Sequence, residues 1–467
     1  MMTHPHKFLL ALAWLVCVPA VSRAQRETTG DASQVRSQIS SLGESLRDAQ
    51  QRPLHILYVH GIGATGPGDS QIFQRHLCAL LKGCEIPKKV KVLVPVGRDY
   101  ADGGIFDGAA QPPAFKYLGN PVWNTQDEWR ASAPFVDHYV LQRSDGGPVV
   151  VDEINWWPLV FPLKCGRIMT GEVRLAGPNK KILELCSQTI KDISHPGRYE
   201  AYPWIDHDAA TKLEANHAKG AFLNRGLKTS LMDWGFSDAV MAVGSMHDLF
   251  REGMRQLFVK SARFNADGSK TNDWEQQSRN PRRIDREFIV VSHSLGSYLV
   301  FSTLNLDQQD VTPLPAAIRV NSDEAAREDA AVDYILQRTS LVYFFANQIP
   351  LLELANVEGP VTGDVLARRI QRWRELRQEF GTASSGTPAL PVKPPQLIAW
   401  SDPNDLLTWC IPEMKPLTIV NLYVRNTWWH WFIASPARAH DNYASNKSVL
   451  RTIMSLEPSA AKGEVCK

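Results

Sequence analysis

Ser294 is the side chain in this sequence whose surroundings are best suited to nucleophilic chemistry. It lies in Arg286-Glu-Phe-Ile-Val-Val-Ser-His-Ser-Leu-Gly-Ser-Tyr-Leu-Val300. Phe288 to Val291 are aromatic or β-branched, the pattern of a strand buried on both faces of a parallel sheet. Small residues follow from Ser292 to Gly296, and Ser297 to Asn305 reads as an amphipathic helix. A serine at the tip of a sharp strand-to-helix turn stands clear of the sheet edge, and the helix N-terminus behind it favours negative charge developing nearby. Such a hydroxyl attacks an acyl carbon at neutral pH only with a base to take its proton and an acid to orient that base. A second stretch with chemical potential is His60-Gly61-Ile62-Gly63-Ala64-Thr65-Gly66, after the apolar run Leu54 to Val59. Its Gly61-x-Gly63-x-x-Gly66 spacing fits a dinucleotide-binding turn, but Pro67-Gly68 interrupts the chain where the third glycine should already pack inside a helix. The other use for glycines here is to let bare backbone N–H groups approach a reacting oxygen.

Ser292-His-Ser-Leu-Gly296 resembles the Gly-x-Ser-x-Gly turn of α/β-hydrolases, with Ser292 in place of the first glycine. That position tolerates little side chain, and serine is among the smallest substitutes. The resemblance implies that Ser294 is the nucleophile. His60-Gly61-Ile62-Gly63 is similar to the oxyanion loop of lipases and esterases, which implies a hole formed by the backbone N–H groups of Ile62 and Leu295. The family's chain order of serine, acid, histidine then implies an acid in Ser401-Asp402-Pro403-Asn404-Asp405-Leu406-Leu407. Asp405, just ahead of an apolar pair, matches the family position, with Asp402 the alternative. His440, ahead of a C-terminal helix ending near Leu456, matches the base, and His430 within Trp428-Trp-His-Trp431 is its rival. His293 reads as structural, and His60 as shaping the oxyanion loop through a hydrogen bond. The resemblance rests on residues 54–70, 287–305 and 396–450. No cofactor is expected, and with no paired CxxC among the cysteines zinc is a poor bet.

The elements that must position these residues read as α/β. Strands are expected at Leu54 to Val59, Lys89 to Val96, Ser340 to Ala346, Gln396 to Trp400 and Leu417 to Val424. Asp69 or Ser70 can cap a helix from Gln71 to Leu81, and a strand, helix, strand opening argues for a parallel sheet. His138 to Gln142 and Val149 to Ile154, around Asp145-Gly-Gly147, form a hairpin pattern. Further helices are expected at 179–191, 208–232, 236–264, 323–337 and around Arg368 to Arg377. The fold expected is a mostly parallel central sheet flanked by helices. It carries a large insertion at 100–285 before the nucleophile turn and a smaller one at 355–394. Trp123, Trp129, Trp156, Trp157, Trp204 and Trp234 fall in the larger insertion, where they either form a cap over the site or fill a core.

The chain divides into an export signal (1–24, cut before Gln25), a polar lead-in with a weak helix (25–52) and a catalytic domain (53–467). Phe8 to Val16 is apolar but short, and no later segment is long and apolar enough to span a bilayer. Removing 1–24 takes Lys7 and Arg23 and no acid, so the 49 acidic residues are matched by as many bases. With no basic run, nucleic acid and anionic membrane surfaces are poor partners on electrostatic grounds. Six of the seven cysteines remain after the signal. In an oxidising compartment they pair plausibly as Cys78 with Cys84, Cys165 with Cys186, and Cys410 with Cys466. An exported chain also meets little nicotinamide cofactor. The function expected is hydrolysis of a small-molecule or lipid ester. A catalytically dead hydrolase-fold binding protein and a dinucleotide oxidoreductase are the alternatives. Oligomeric state, acyl chain length and substrate identity are not legible in the sequence.

Overall fold

A computed structural model describes residues 41–48, 53–63, 67–86, 92–95, 134–165, 186, 235–265, 286–304, 322–355, 371–378, 395–411, 418–427 and 435–455, apart from isolated positions within them. The strands are β1 (Leu54–Val59), β2 (Val92–Pro95), β3 (Phe135–Leu141), β4 (Val149–Asn155), β5 (Glu287–His293), β6 (Thr339–Phe345), β7 (Gln396–Ser401) and β8 (Thr418–Tyr423). They form one eight-stranded sheet in the order β2-β3-β4-β1-β5-β6-β7-β8. β3 runs against both of its neighbours, and every other pairing is parallel. Among the described residues the longer helices are α1 (Leu42–Asp48), α2 (Gln71–Leu80), α3 (Ser237–Val243), α4 (His247–Arg263), α5 (Leu295–Leu304), α6 (Ser322–Arg338), α7 (Pro436–Asp441) and α8 (Lys447–Ser455), with single turns at Phe161–Lys164 and Ile349–Leu352.

The alternation of each strand divides the core in two. Leu57 and Val59 of β1, Phe288 and Val290 of β5, and Leu397 and Ala399 of β7 face a layer containing α4, α5 and α6. Leu54, Ile56, Tyr58, Ile289, Val291, Ile398 and Trp400 face the other layer, with α1, α2 and α8. Strands buried on both faces are mostly apolar, which is why β1, β5, β6 and β7 read as apolar runs with few polar interruptions such as His55. Each fully buried aliphatic side chain contributes about 1.5–3 kcal/mol. The chain leaves β1 for α2 on one layer and leaves β5 for α5 on the other, although β1 and β5 are neighbours. A crevice opens outside the strand carboxyl ends where adjacent connections diverge in this way.

Several expectations are corrected. The segment read as an insertion at 100–285 supplies β3 and β4 to the sheet and α4 to its cover. The alternating hairpin signal within it was a sheet signal, because an antiparallel pair can extend a parallel sheet as well as stand apart from it. Trp156 and Trp157 are fully buried among these elements, while Trp123, Trp129, Trp204 and Trp234 lie outside the described residues. So do residues 1–40, most of 355–394, and the expected helices at 179–191 and 208–232 apart from Cys186. β1 and β2 are not neighbours, since β2 lies at the far edge and pairs with β3. α5 is not amphipathic: its described side chains are all buried, as the apolar sequence Leu-Gly-Ser-Tyr-Leu-Val-Phe demands of a helix wedged between a sheet and α4. α1, in the expected polar lead-in, packs Leu42 and Leu46 into the second layer, and Tyr343 Oη accepts from the Leu42 N–H at 3.1 Å.

Disulfides join Cys78 to Cys84 and Cys165 to Cys186. Cys410 is disulfide-bonded as well, and Cys466 lies outside the described residues. Among the described residues no helix is long and apolar enough to cross a membrane.

Candidate active site

Ser294 occupies the turn between β5 and α5 with φ at 54°. A non-glycine residue in the left-handed region is strained and persists only where its surroundings dictate it. Here the Ser294 N–H donates to the Phe345 carbonyl of β6 at 2.8 Å. Gly296 sets the other side of the turn. A Cβ there would stand 2.5 Å from the His60 carbonyl oxygen and 2.6 Å from that of Val59. Only glycine lets α5 come this close to the end of β1. The irregular Ser292 has a partner of its own, donating to Ser297 Oγ at 3.1 Å across the turn.

The expected partners converge on this serine. His440 Nε2 lies 2.8 Å from Ser294 Oγ. His440 Nδ1 lies 3.0 Å from both carboxylate oxygens of Asp405. All three side chains are buried. A carboxylate can only accept, so the Nδ1 proton points at Asp405 and Nε2 is left to accept from the serine. Asp402 does other work: its carboxylate accepts from the backbone N–H groups of Asn404 (2.8 Å) and Asn426 (2.5 Å), shaping the loop after β7. His440 is carried on α7, whose first turn is capped by Ser435 accepting from the Arg438 N–H. His430 lies outside the described residues.

The loop after β1 lies against Ser294, since a Cβ on Gly61 would be 2.8 Å from Ser294 Cβ. Ile62 is half-buried at this loop, and Leu295 opens α5, where the first N–H groups have no partner within the helix. The next N–H, that of Gly63, donates to Asp238 Oδ2 at 2.8 Å. Asp238 is itself held by Lys164 at 2.5 Å in a fully buried pair. His60 is buried with its ring stacked on Trp156 at 4.9 Å, and its Nδ1 lies 3.0 Å from the Gly61 carbonyl. Burial lowers its pKa to about 4.

The dinucleotide turn fares differently. Gly68, Asp69 and Ser70 at the start of α2 would be the phosphate-facing donors, yet all three N–H groups donate to the buried carboxylate of Glu153. Ser70 Oγ is bonded to Glu153 too, so Ser70 does not cap α2 with its own side chain. The donors at this helix end are already occupied by a side chain of the protein. Gly66 lies outside the described residues.

Three supporting residues, Tyr443, Asn347 and Gln348, were not assigned from the sequence, and His293, read as structural, joins them. His293 Nε2 donates to the His440 carbonyl at 2.7 Å, tying the turn to the histidine's backbone. Tyr443 Oη accepts from the Asp402 N–H at 2.6 Å and donates to Asp405 Oδ2 at 3.2 Å. Burial and the Asp405 charge push its pKa well up, so the phenol stays a donor. Asn347 Nδ2 donates to the Trp409 carbonyl at 3.0 Å, joining the loop after β6 to the loop of Asp405. Gln348 Nε2 lies 2.8 Å from Ser294 Oγ. Asn347 and Gln348 follow directly on a buried strand, the place where parallel sheets carry their site residues, and that was the one available signal.

No protein-family model, curated protein or solved structure matches this chain.

Proposed function

We propose that this protein is an exported serine hydrolase of the α/β-hydrolase type that cleaves carboxylic esters through an acyl-enzyme intermediate. The observation that carries the reading is the continuous hydrogen-bonded line from Ser294 Oγ through His440 to Asp405, built on a serine with φ at 54°. The order of elements supports the type: an oxyanion-like loop after β1, the serine turn between β5 and α5, an acid after β7 and a histidine after β8. Two disulfides fit an oxidising compartment.

In this mechanism His440 Nε2 takes the Ser294 proton as Oγ bonds to the ester carbon. Asp405 holds the imidazole in the required tautomer and balances the imidazolium charge. The carbonyl oxygen becomes an oxyanion, stabilised by the Ile62 and Leu295 N–H groups. Its collapse breaks the ester bond, and the alcohol leaves with the proton from His440. Water, giving a proton to His440, then attacks the acyl-serine, releases the acid and restores the hydroxyl. The substrate is a small-molecule or lipid ester. A fluorophosphonate probe tests the assignment: wild type should be labelled and Ser294→Ala should not. Equal labelling of the two would remove Ser294 from the role, and no labelling of either would favour a binding protein on the same scaffold.

A further inference from the structure

Resting on that reading, the geometry points to Gln348 as an additional catalytic residue, whose side-chain amide donates first to Ser294 Oγ and then to the oxyanion. Gln348 follows β6, and its backbone is fixed by the Leu352 N–H donating to its carbonyl at 3.0 Å. Its side chain is buried with Nε2 2.8 Å from Ser294 Oγ. Which end of the amide faces the serine is dictated by the line of proton donors. Asp405 requires the proton on His440 Nδ1, so Nε2 accepts the serine's single hydrogen. Oγ then has only lone pairs left for Gln348, and the N–H end must face it.

A neutral donor at this point has two uses in acyl transfer. It stabilises the partial negative charge on Oγ as the proton leaves, while a second lone pair remains for attack. Once the carbon–oxygen bond has formed, Oγ is an ester-like oxygen and a poor acceptor. The new oxyanion sits on the same carbon, so a small rotation of the Gln348 side chain carries the N–H from one oxygen to the other. Charge has moved from Oγ to the former carbonyl oxygen, and a donor that follows it stabilises the transition state more than the bound ester. No proton or electron pair is transferred to Gln348 in this scheme.

The test compares Gln348→Met, which keeps length and removes the donor, with Gln348→Glu, which keeps shape and puts an anion there. A p-nitrophenyl ester and the fluorophosphonate probe report on the full-length mature protein. The Met variant should lose about 100-fold in kcat, the typical effect of one oxyanion donor, with KM changed less than about threefold. The Glu variant should lose more, and phosphonylation of Ser294 should slow in step, because the phosphonyl oxygen occupies the same position. A residue with a merely structural role would change thermal stability without this kcat-against-KM split or the added loss in Glu. A folded Met variant within about threefold of wild-type kcat overturns the inference. If Met fails to fold, a Glu variant as active as wild type overturns it equally. Wild type that is not labelled at all overturns the hydrolase reading and this inference together, whereas labelled wild type with an unaffected variant overturns only the role of Gln348.

Discussion

Gly61→Ala is the most direct perturbation of the contact between the loop after β1 and the serine turn. The new Cβ would lie 2.8 Å from Ser294 Cβ, 2.9 Å from His293 Nδ1 and 3.2 Å from the His293 carbonyl oxygen. Carbon atoms in contact prefer about 3.5–4.0 Å, so the overlap with Ser294 is roughly 0.7 Å or more. Neither side yields easily. Ser294 is held by its N–H to Phe345, and His293 is tied to the His440 carbonyl. If Ser294 retreats by that overlap, its 2.8 Å contact with His440 reaches the limit of hydrogen bonding. If the loop retreats instead, the Ile62 N–H withdraws from the oxyanion position. Overpacking of this kind costs about 1–3 kcal/mol. Expressed in the transition state, that is a fall of about 5- to 150-fold in kcat/KM. Initial rates on a p-nitrophenyl ester, together with the Tm of the same preparation, separate the two expressions of the cost. A variant with wild-type kcat/KM and wild-type Tm would refute the argument, because it would mean that the loop and the turn do not meet as described.

Asp405→Asn should reduce kcat by about 1,000- to 10,000-fold through the wrong histidine tautomer. Asp402→Asn should instead lower stability by about 1–2 kcal/mol in urea unfolding with kcat within a few-fold of wild type, since it removes charge from a loop anchor only. The opposite ranking of the two variants would exchange their roles. Ser292→Gly loses one buried hydrogen bond to Ser297, worth about 1 kcal/mol in thermal unfolding, while esterase activity is retained. Burial lowers the pKa of both His55 and His60 from 6.5 to about 4. The unfolded chain therefore takes up two protons that the folded chain refuses, and stability falls as pH drops through that window. Glu153, raised by burial to about 7, holds its proton in the folded state and offsets one of them. These three groups together contribute a loss of about 1.4 kcal/mol per pH unit; His293, lowered by burial, adds to it, and Asp137, raised by burial, takes from it. Urea midpoints that stay level or rise as the pH is lowered from about 6.5 would contradict this.

Much of the sheet was legible because its central strands, buried on both faces, are mostly apolar. Leu54 to Val59 and Phe288 to Val291 announce themselves for that reason. The partition of 100–285 was harder, because the alternation at Phe135–Leu141 and Val149–Asn155 says that two strands pair and not which larger sheet they join. The helix cap at Ser70 failed for a related reason. A local rule allows Ser70 to cap α2, but the carboxyl group of Glu153, 83 residues away, reaches the same donors.

At the site, the family resemblance of three short stretches singled out Ser294, His440 and the pair Asp402 and Asp405. Each lies in a connection that follows a strand, and their order along the chain is readable in the sequence. What tertiary structure decided was everything that depends on two distant segments meeting. It brought Asp405 and not Asp402 to His440, set Gln348 and His293 against the serine turn, and filled the dinucleotide-like helix end with Glu153. A hydrogen bond forms over about 3 Å of space and is blind to separation along the chain. The Ser294 and His440 atoms that lie 2.8 Å apart are 146 residues apart in sequence, and only the packing of the sheet converts one distance into the other.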